Sequence, residues 1–251
     1  MAGERRMNIL KKLLVRSTPE HETKRLCDVC AEVTGMTGAG IMLMSGDVPR
    51  GSVCTTNAVS ALVEDLQFGL GEGPCVDAYH EDRPVLEPDL LAPITSRWLA
   101  FRGPAVEAGV RAVFGFPLRV GAVRLGALNL YCDRPGPLTD EQHTDALIMA
   151  DVAAQAVLVM QAHAPAGQLA AQLEVGGDSR YVVHQASGMV AAQLEVSVGQ
   201  ALIRLRAYAF GSGRPLAEVA EDVVARNLRF DDRSGEKDPG PDADPPDGRP
   251  L

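Results

Sequence analysis

The chain has 251 residues, 46% of them hydrophobic and only 4% aromatic, which suits one large domain or two small ones with a core built from Ala, Val and Leu. Its formal net charge of −9 argues against general adhesion to nucleic acid or anionic lipid. No apolar run reaches the roughly 18 residues of a membrane-crossing helix, and the basic start MAGERRMNILKKLLVRS lacks the long apolar stretch and cleavage site of a secretory signal, so the chain is expected to be cytoplasmic with no membrane partner.

Residues 1–17 form an N-terminal segment. Over 18–36, Leu26, Cys30 and Val33 recur at helical spacing. Ala39–Ser45 is a short apolar run bounded by glycine, a buried strand. GDVPRG has turn chemistry, and Val53–Thr56 is its paired strand. Residues 58–67 return to helical spacing through Val59, Leu62, Val63 and Leu66. In GLGEGPCVDAYHEDRP, Pro74 suits the first turn of a helix. A strand at Pro84–Glu87 and a helix over 97–108 follow. Phe114–Val120 and Val123–Tyr131 form a hairpin whose link, Gly121-Ala122, fits a type II′ turn. Thr139 and Gln142 make a capping box for a helix over 140–161 with a broad apolar face.

The five cysteines, Cys27, Cys30, Cys54, Cys75 and Cys132, are odd in number, which predicts reduced thiols and no disulfide framework. Cys27 and Cys30 form a lone CxxC without the second pair or the histidines that zinc needs, so no metal is expected. The glycines before Pro74 serve a tight turn or cradle an anion at a helix start. Cys75 lies at that start, where a thiolate is favoured. Trp98 lines a pocket or anchors the sheet. No Ser/His/Asp set, carboxylate pair or metal cluster marks a catalytic centre, so the chain is expected not to be an enzyme, and no cofactor is predicted.

Helices and strands in this order make an α+β domain with a mostly antiparallel sheet. GAGIMLM, LGEGPCVDAYHEDRPV and FGFPLRVGAVRLGALNLY, followed by the long helix, resemble a GAF domain over 18–162. The resemblance implies a small-molecule sensing or dimerisation module, with Gly71, Gly73, Cys75 and Trp98 as candidate ligand-binding residues. The helix over 140–161 would carry a homodimer.

Pro165 and Gly167 mark a connector over 163–177, and residues 178–230 read as an all-α three-helix bundle. Its first helix covers 179–194. Ser197 and Gln200 form a second capping box, Gly213 stands where a helix-ending glycine belongs, and Pro215 opens the third helix, Leu216–Asn227. Residues 165–230 hold six acids and six arginines, so a specific arginine face can exist without a basic domain. Residues 231–251 hold seven acids and three bases among Pro and Gly, the composition of a disordered acidic tail.

Ser187-Gly188 interrupts the first helix of this bundle, and its bland reading is close helix packing. The string AAQLEVSVGQALIRL also resembles a helix-turn-helix, but Val198-Gly199-Gln200-Ala201 is poor base-reading chemistry at the start of a recognition helix. The closer resemblance is to the ANTAR domain, a three-helix RNA-binding module. It rests on Gln185-Ala186-Ser187-Gly188, Val196-Ser197, Ala201 with Leu205-Arg206, and Arg214 with Leu216, Val219 and Ala220. Where the family usually carries lysine, this chain has Ser187. The resemblance implies transcription antitermination through paired RNA stem-loops. In that reading Gln185, Ala186, Ser187 and Gly188 approach looped bases. Arg204, Arg206 and Arg214 meet phosphates, and Tyr208 stacks. The alternatives are a sensor-regulated DNA-binding factor and a partner-binding module whose RNA surface has decayed.

Overall fold

The computed structural model describes residues 2–13, 19–45, 48–92, 96–162 and 177–230. Most of the expected connector and the acidic tail over 231–251 lie outside the described residues.

Five antiparallel strands make one sheet, in the order β2-β1-β5-β4-β3. They are β1 (Gly38–Ser45), β2 (Val48–Thr55), β3 (Val85–Glu87), β4 (Ala112–Val120) and β5 (Val123–Cys132). Strand residues alternate between faces, and the two faces have different cover. Ala39, Ile41, Leu43, Phe114, Phe116, Leu128 and Leu130 join a core with Leu26 and Cys30 of α2 (Pro19–Thr34) and Met149, Ala153 and Val157 of α6 (Asp140–Ala162). Val113, Ala127 and Tyr131 face the other way, into a core with Val63 of α3 (Ala58–Leu70), Cys75 and Ala78 of α4 (Pro74–Glu81), and Phe101 of α5 (Leu99–Glu107).

Residues Ala2–Leu13 form helix α1, which buries Ile9 in the first core. Arg5 bridges to Glu141 and Asp145 of α6, and Arg6 to Asp151. The GDVPRG turn is corrected, because Val48, Pro49, Arg50 and Gly51 belong to β2. Two register shifts in the β1–β2 pairing accommodate them, and β2 is an edge strand, where proline is tolerated.

The expectation of reduced thiols is overturned. Cys27 of α2 and Cys54 of β2 are disulfide-bonded, with Cα atoms 6.0 Å apart. Cys30, Cys75 and Cys132 are free. Helix α2 lies on the sheet with Cys27 facing β2, so the pairing comes from tertiary packing, which a count of cysteines does not register.

Helix α6 is long and apolar enough to cross a membrane, yet it lies along the sheet with Ala146, Met149, Ala153 and Val157 buried. Three further helices, α7 (Gly177–Leu194), α8 (Val198–Ser212) and α9 (Leu216–Val224), form the bundle. Ser197 and Gln200 cap α8 reciprocally, and Gly213 closes it in the left-handed conformation. Helix α9 stops three residues before the expected Asn227, where Arg226 turns left-handed at φ 63°. The bundle's core includes Val183, Val190, Leu202, Leu205, Val219 and Val223, and continues into Met42, Met44, Phe68 and Tyr79 of the sheet domain.

Candidate functional site

Helix α7 places the residues of its Gln-Ala-Ser-Gly stretch on opposite sides. Val183, Ala186, Ser187 and Val190 are buried at the i, i+3, i+4, i+7 spacing of one helical face. The Ser187 hydroxyl is satisfied inside this apolar stripe by donating to the carbonyl of Val183 at 2.7 Å, a back-bond common for serine in helices. Gln185 and Gly188 are exposed. A Cβ placed on Gly188 would meet nothing within 4 Å, so no neighbour's packing requires that glycine. The Ser-Gly pair therefore divides, with a packing residue at 187 and an open surface position at 188.

The three arginines differ as much. Arg204 is exposed on α8, as is Tyr208, whose ring meets Phe230 edge-on at 5.5 Å. Arg214 follows α8 and donates to Asp222 at 2.7 Å, with Glu218 at 3.9 Å. The bond to Asp222 raises the guanidinium pKa and lowers that of the carboxyl. Arg206 turns from solvent into the sheet domain and donates to the carbonyl of Phe68. Burial lowers its pKa to about 10. The structure brings Gln185, Gly188, Arg204, Tyr208 and Arg214 to the bundle's exposed surface, and places Ala186, Ser187 and Arg206 in contacts with protein. Sequence reasoning missed Phe210, a phenylalanine 71% exposed on α8. The signal was its position one residue past Ala209, off the buried face of Leu202, Leu205 and Ala209.

In the sheet domain the glycine-rich loop is held by its own contacts. Gly71 ends α3 in the left-handed conformation at φ 70°. Glu72 accepts from the backbone of Ala100 and Phe101 at 2.7 and 2.8 Å, holding the start of α5. The start of α4 is occupied too, since the Gln67 side-chain oxygen accepts from the Cys75 amide at 2.7 Å. That fills the position where an anion would sit. Cys75 is buried, and burial pushes its thiol pKa well above normal, the opposite of the thiolate its helix-start position suggested. Trp98 is buried as well. It donates to Asp77 at 2.9 Å, stacks edge-on with Phe101 and carries Arg97 over its ring at 5.0 Å.

The polar feature behind that loop was not legible in the sequence. Asn129 of β5 is fully buried between its register partners Gly40 and Gly115, and both its side-chain polar atoms lack a hydrogen-bond partner. The Gln67 amide nitrogen is likewise buried without one. Glu64, also buried, stands over Gly40, where a Cβ would come 2.6 Å from its carboxylate. Among the described residues no group of three or more His, Cys, Asp or Glu is placed to hold a metal ion.

An antiparallel sheet with helices on both faces and a buried polar patch beneath a capped loop, joined to a three-helix bundle, is the form of a sensor domain carrying an effector module. Family models match residues 17–158 as a GAF domain and 171–224 as an ANTAR domain. The chain belongs to the GAF family and is a GAF–ANTAR regulator. Among solved structures it is similar to the GAF domain of a phosphoenolpyruvate-protein phosphotransferase from Coxiella burnetii, at 15% identity and TM-score 0.50, over 64% of this chain and 95% of that one. The corresponding Acinetobacter domain aligns at 11% identity and TM-score 0.49, over 64% and 96%. The likeness to the Coxiella domain concerns the fold of the sensor half. A search among curated proteins found none that matches the chain. ANTAR is an RNA-binding antitermination module and GAF a sensor domain that binds small-molecule signals, and neither is a catalytic family.

Proposed function

We propose that the chain is a signal-responsive RNA-binding regulator whose ANTAR module stabilises antiterminator stem-loops in nascent RNA, so that the terminator hairpin does not form. The observation that carries this reading is Gly188, a glycine inside a helix, exposed and with open space where its side chain would be. Glycine there costs about 1 kcal/mol relative to alanine with no packing gain, and it admits the backbone of a ligand. Gln185, Arg204, Tyr208 and Arg214 are exposed or half-buried on the same module and supply base-edge, phosphate and stacking contacts. Phe210 adds a second exposed aromatic.

In this reading the signal is a small molecule received by the GAF interior. Asn129 and Gln67 offer it amide donors and an acceptor, while the loop of Gly71 and Gly73, with Cys75 and Trp98 beneath it, closes that region. The protein acts in the cytoplasm as a homodimer, joined through the exposed Leu147, Leu158 and Val159 of α6, which brings two modules to two stem-loops and raises avidity. It performs no chemistry on either ligand. Gel shifts of the full chain against a two-hairpin leader RNA and against duplex DNA test the reading. RNA binding abolished by unpairing the stems supports it, and binding to DNA alone refutes it.

A further inference from the structure

Arg206 holds a position that RNA binding alone does not explain. Its guanidinium crosses from α8 to the C-terminal end of α3 and donates to the carbonyl of Phe68 in the last turn of that helix. A cation is favoured there by the helix dipole. Gly71 lies directly beneath, where a Cβ would come 2.4 Å from Nη1. Around this contact the Phe68 ring meets His184 of α7 edge-on at 5.7 Å, and the His184 Nε2 lies 3.2 Å from the carbonyl of Arg50 on β2. Met42, Met44 and Tyr79 complete the apolar part of the junction.

The contact is incompletely satisfied. The Arg206 Nε is buried without a hydrogen-bond partner, and desolvation works against the charged form. A phosphate is a stronger acceptor for a guanidinium than a backbone carbonyl. The same turn of α3 also reaches the sensor interior. The backbone carbonyl of Gln67 accepts from the Gly71 amide, while its side chain holds the Cys75 amide and leaves its own nitrogen buried without a partner.

We infer that Arg206 is a latch between the two domains, capping α3 when the ANTAR module is docked on the GAF sheet and passing to an RNA phosphate when α3 shifts and the module is released. This rests on the RNA-binding reading and adds its regulation. A signal molecule that engages Gln67 and Asn129 acts on the turn that holds the latch, so ligand entry and arginine release are coupled through one helix end. Docking withholds one phosphate contact while leaving Gln185, Gly188 and Arg204 exposed, which makes the docked state a weak binder rather than a silent one.

Two measurements on the full chain test this. Phenylglyoxal modification followed by mass spectrometry compares Arg206 with the exposed Arg204 in the unaltered protein. Arg206 should react at least about tenfold more slowly, the factor that about 1.4 kcal/mol of docking produces. Gly71→Ala then places a methyl against the guanidinium while leaving the sequence of the ANTAR module unchanged. It should bring Arg206 close to the Arg204 rate and tighten binding to a two-hairpin RNA by about fivefold or more. Equal reactivity of the two arginines in the unaltered protein overturns the latch whatever Gly71→Ala does to folding. Exposure of Arg206 with unchanged RNA affinity overturns it as well. Protection of Arg206 that Gly71→Ala relieves, with no RNA bound by either protein, supports the docking contact and overturns the RNA reading instead.

Discussion

Removing the Cys27–Cys54 disulfide should destabilise the GAF domain by a magnitude set by the length of chain it closes. The two cysteines are 27 residues apart, and the chain-entropy relation gives about 3.5 kcal/mol at 25 °C for a loop of that size. Both positions are buried, so replacing them with alanine also leaves a small cavity worth about another 1 kcal/mol. At roughly 2–4 °C per kcal/mol for a chain of this size, the double variant Cys27→Ala, Cys54→Ala should melt about 9–18 °C lower. Trp98, the single tryptophan, is buried in the second core of the sheet domain, so its fluorescence in a urea titration follows that domain and not the bundle. Thiol titration of the denatured, unreduced protein gives an independent reading. Three thiols should react, from Cys30, Cys75 and Cys132. Five reactive thiols, or equal urea midpoints before and after reduction, refute the assignment of this bond as a structural staple.

Ser187→Lys, which restores the residue usual in the family, puts an ammonium at a fully buried position and should cost about 3 kcal/mol of bundle stability without tightening RNA binding; an unchanged melting midpoint with tighter binding refutes this placement. Gly188→Ala should stabilise α7 by about 1 kcal/mol while weakening RNA binding, and a more stable protein with unaltered affinity removes the close-approach role. Asn129→Leu takes away two buried atoms without partners, so its stability should stay level or rise by about 1 kcal/mol, with a clear loss in a urea titration as the contrary result. The Asp222 carboxyl is held below its ordinary pKa by Arg214. The pair's contribution is therefore present above the unfolded carboxylate value of about 4 and lost as pH falls through the lower folded value. Asp222→Asn should flatten the acid limb of bundle unfolding followed by circular dichroism, and an unchanged limb refutes the linkage.

Local signals predicted the regular elements well because hairpins and capped helices are specified by neighbours in sequence. Thr139 and Gln142, Ser197 and Gln200, and Gly213 all cap as their spacing implies. Ser187 packs as the bland reading of the Ser-Gly pair has it, on a buried stripe with Val183, Ala186 and Val190, whereas the motif resemblance drew attention to it as a contact. The features that stayed hidden depend on elements far apart in the chain. Nothing local to Cys27 shows that Cys54 lies against it, and nothing local to Asn129 shows that its neighbours across the sheet are glycines. Arg206 adjoins the buried Leu205, so its place at the edge of the apolar face follows from the helix. That the carbonyls of another domain occupy that edge does not.

The junction between the domains explains why one sheet face has two different covers. Along β1, Gly38, Gly40, Met42 and Met44 alternate onto one face of the sheet. Gly38 lies against Tyr131 and Thr56 and Gly40 against Glu64 of α3, while the methionines belong to the core shared with the bundle. Releasing the module exposes Met42, Met44, Phe68 and Tyr79, an apolar patch that opposes undocking. The incompletely bonded guanidinium of Arg206 works in the other direction. Methionine suits such a surface because its unbranched, polarisable side chain repacks against a changed neighbour. A docking face made of adaptable apolar groups and one imperfectly satisfied charge favours the docked state by a small margin, and a small margin is what a single ligand's differential binding can reverse.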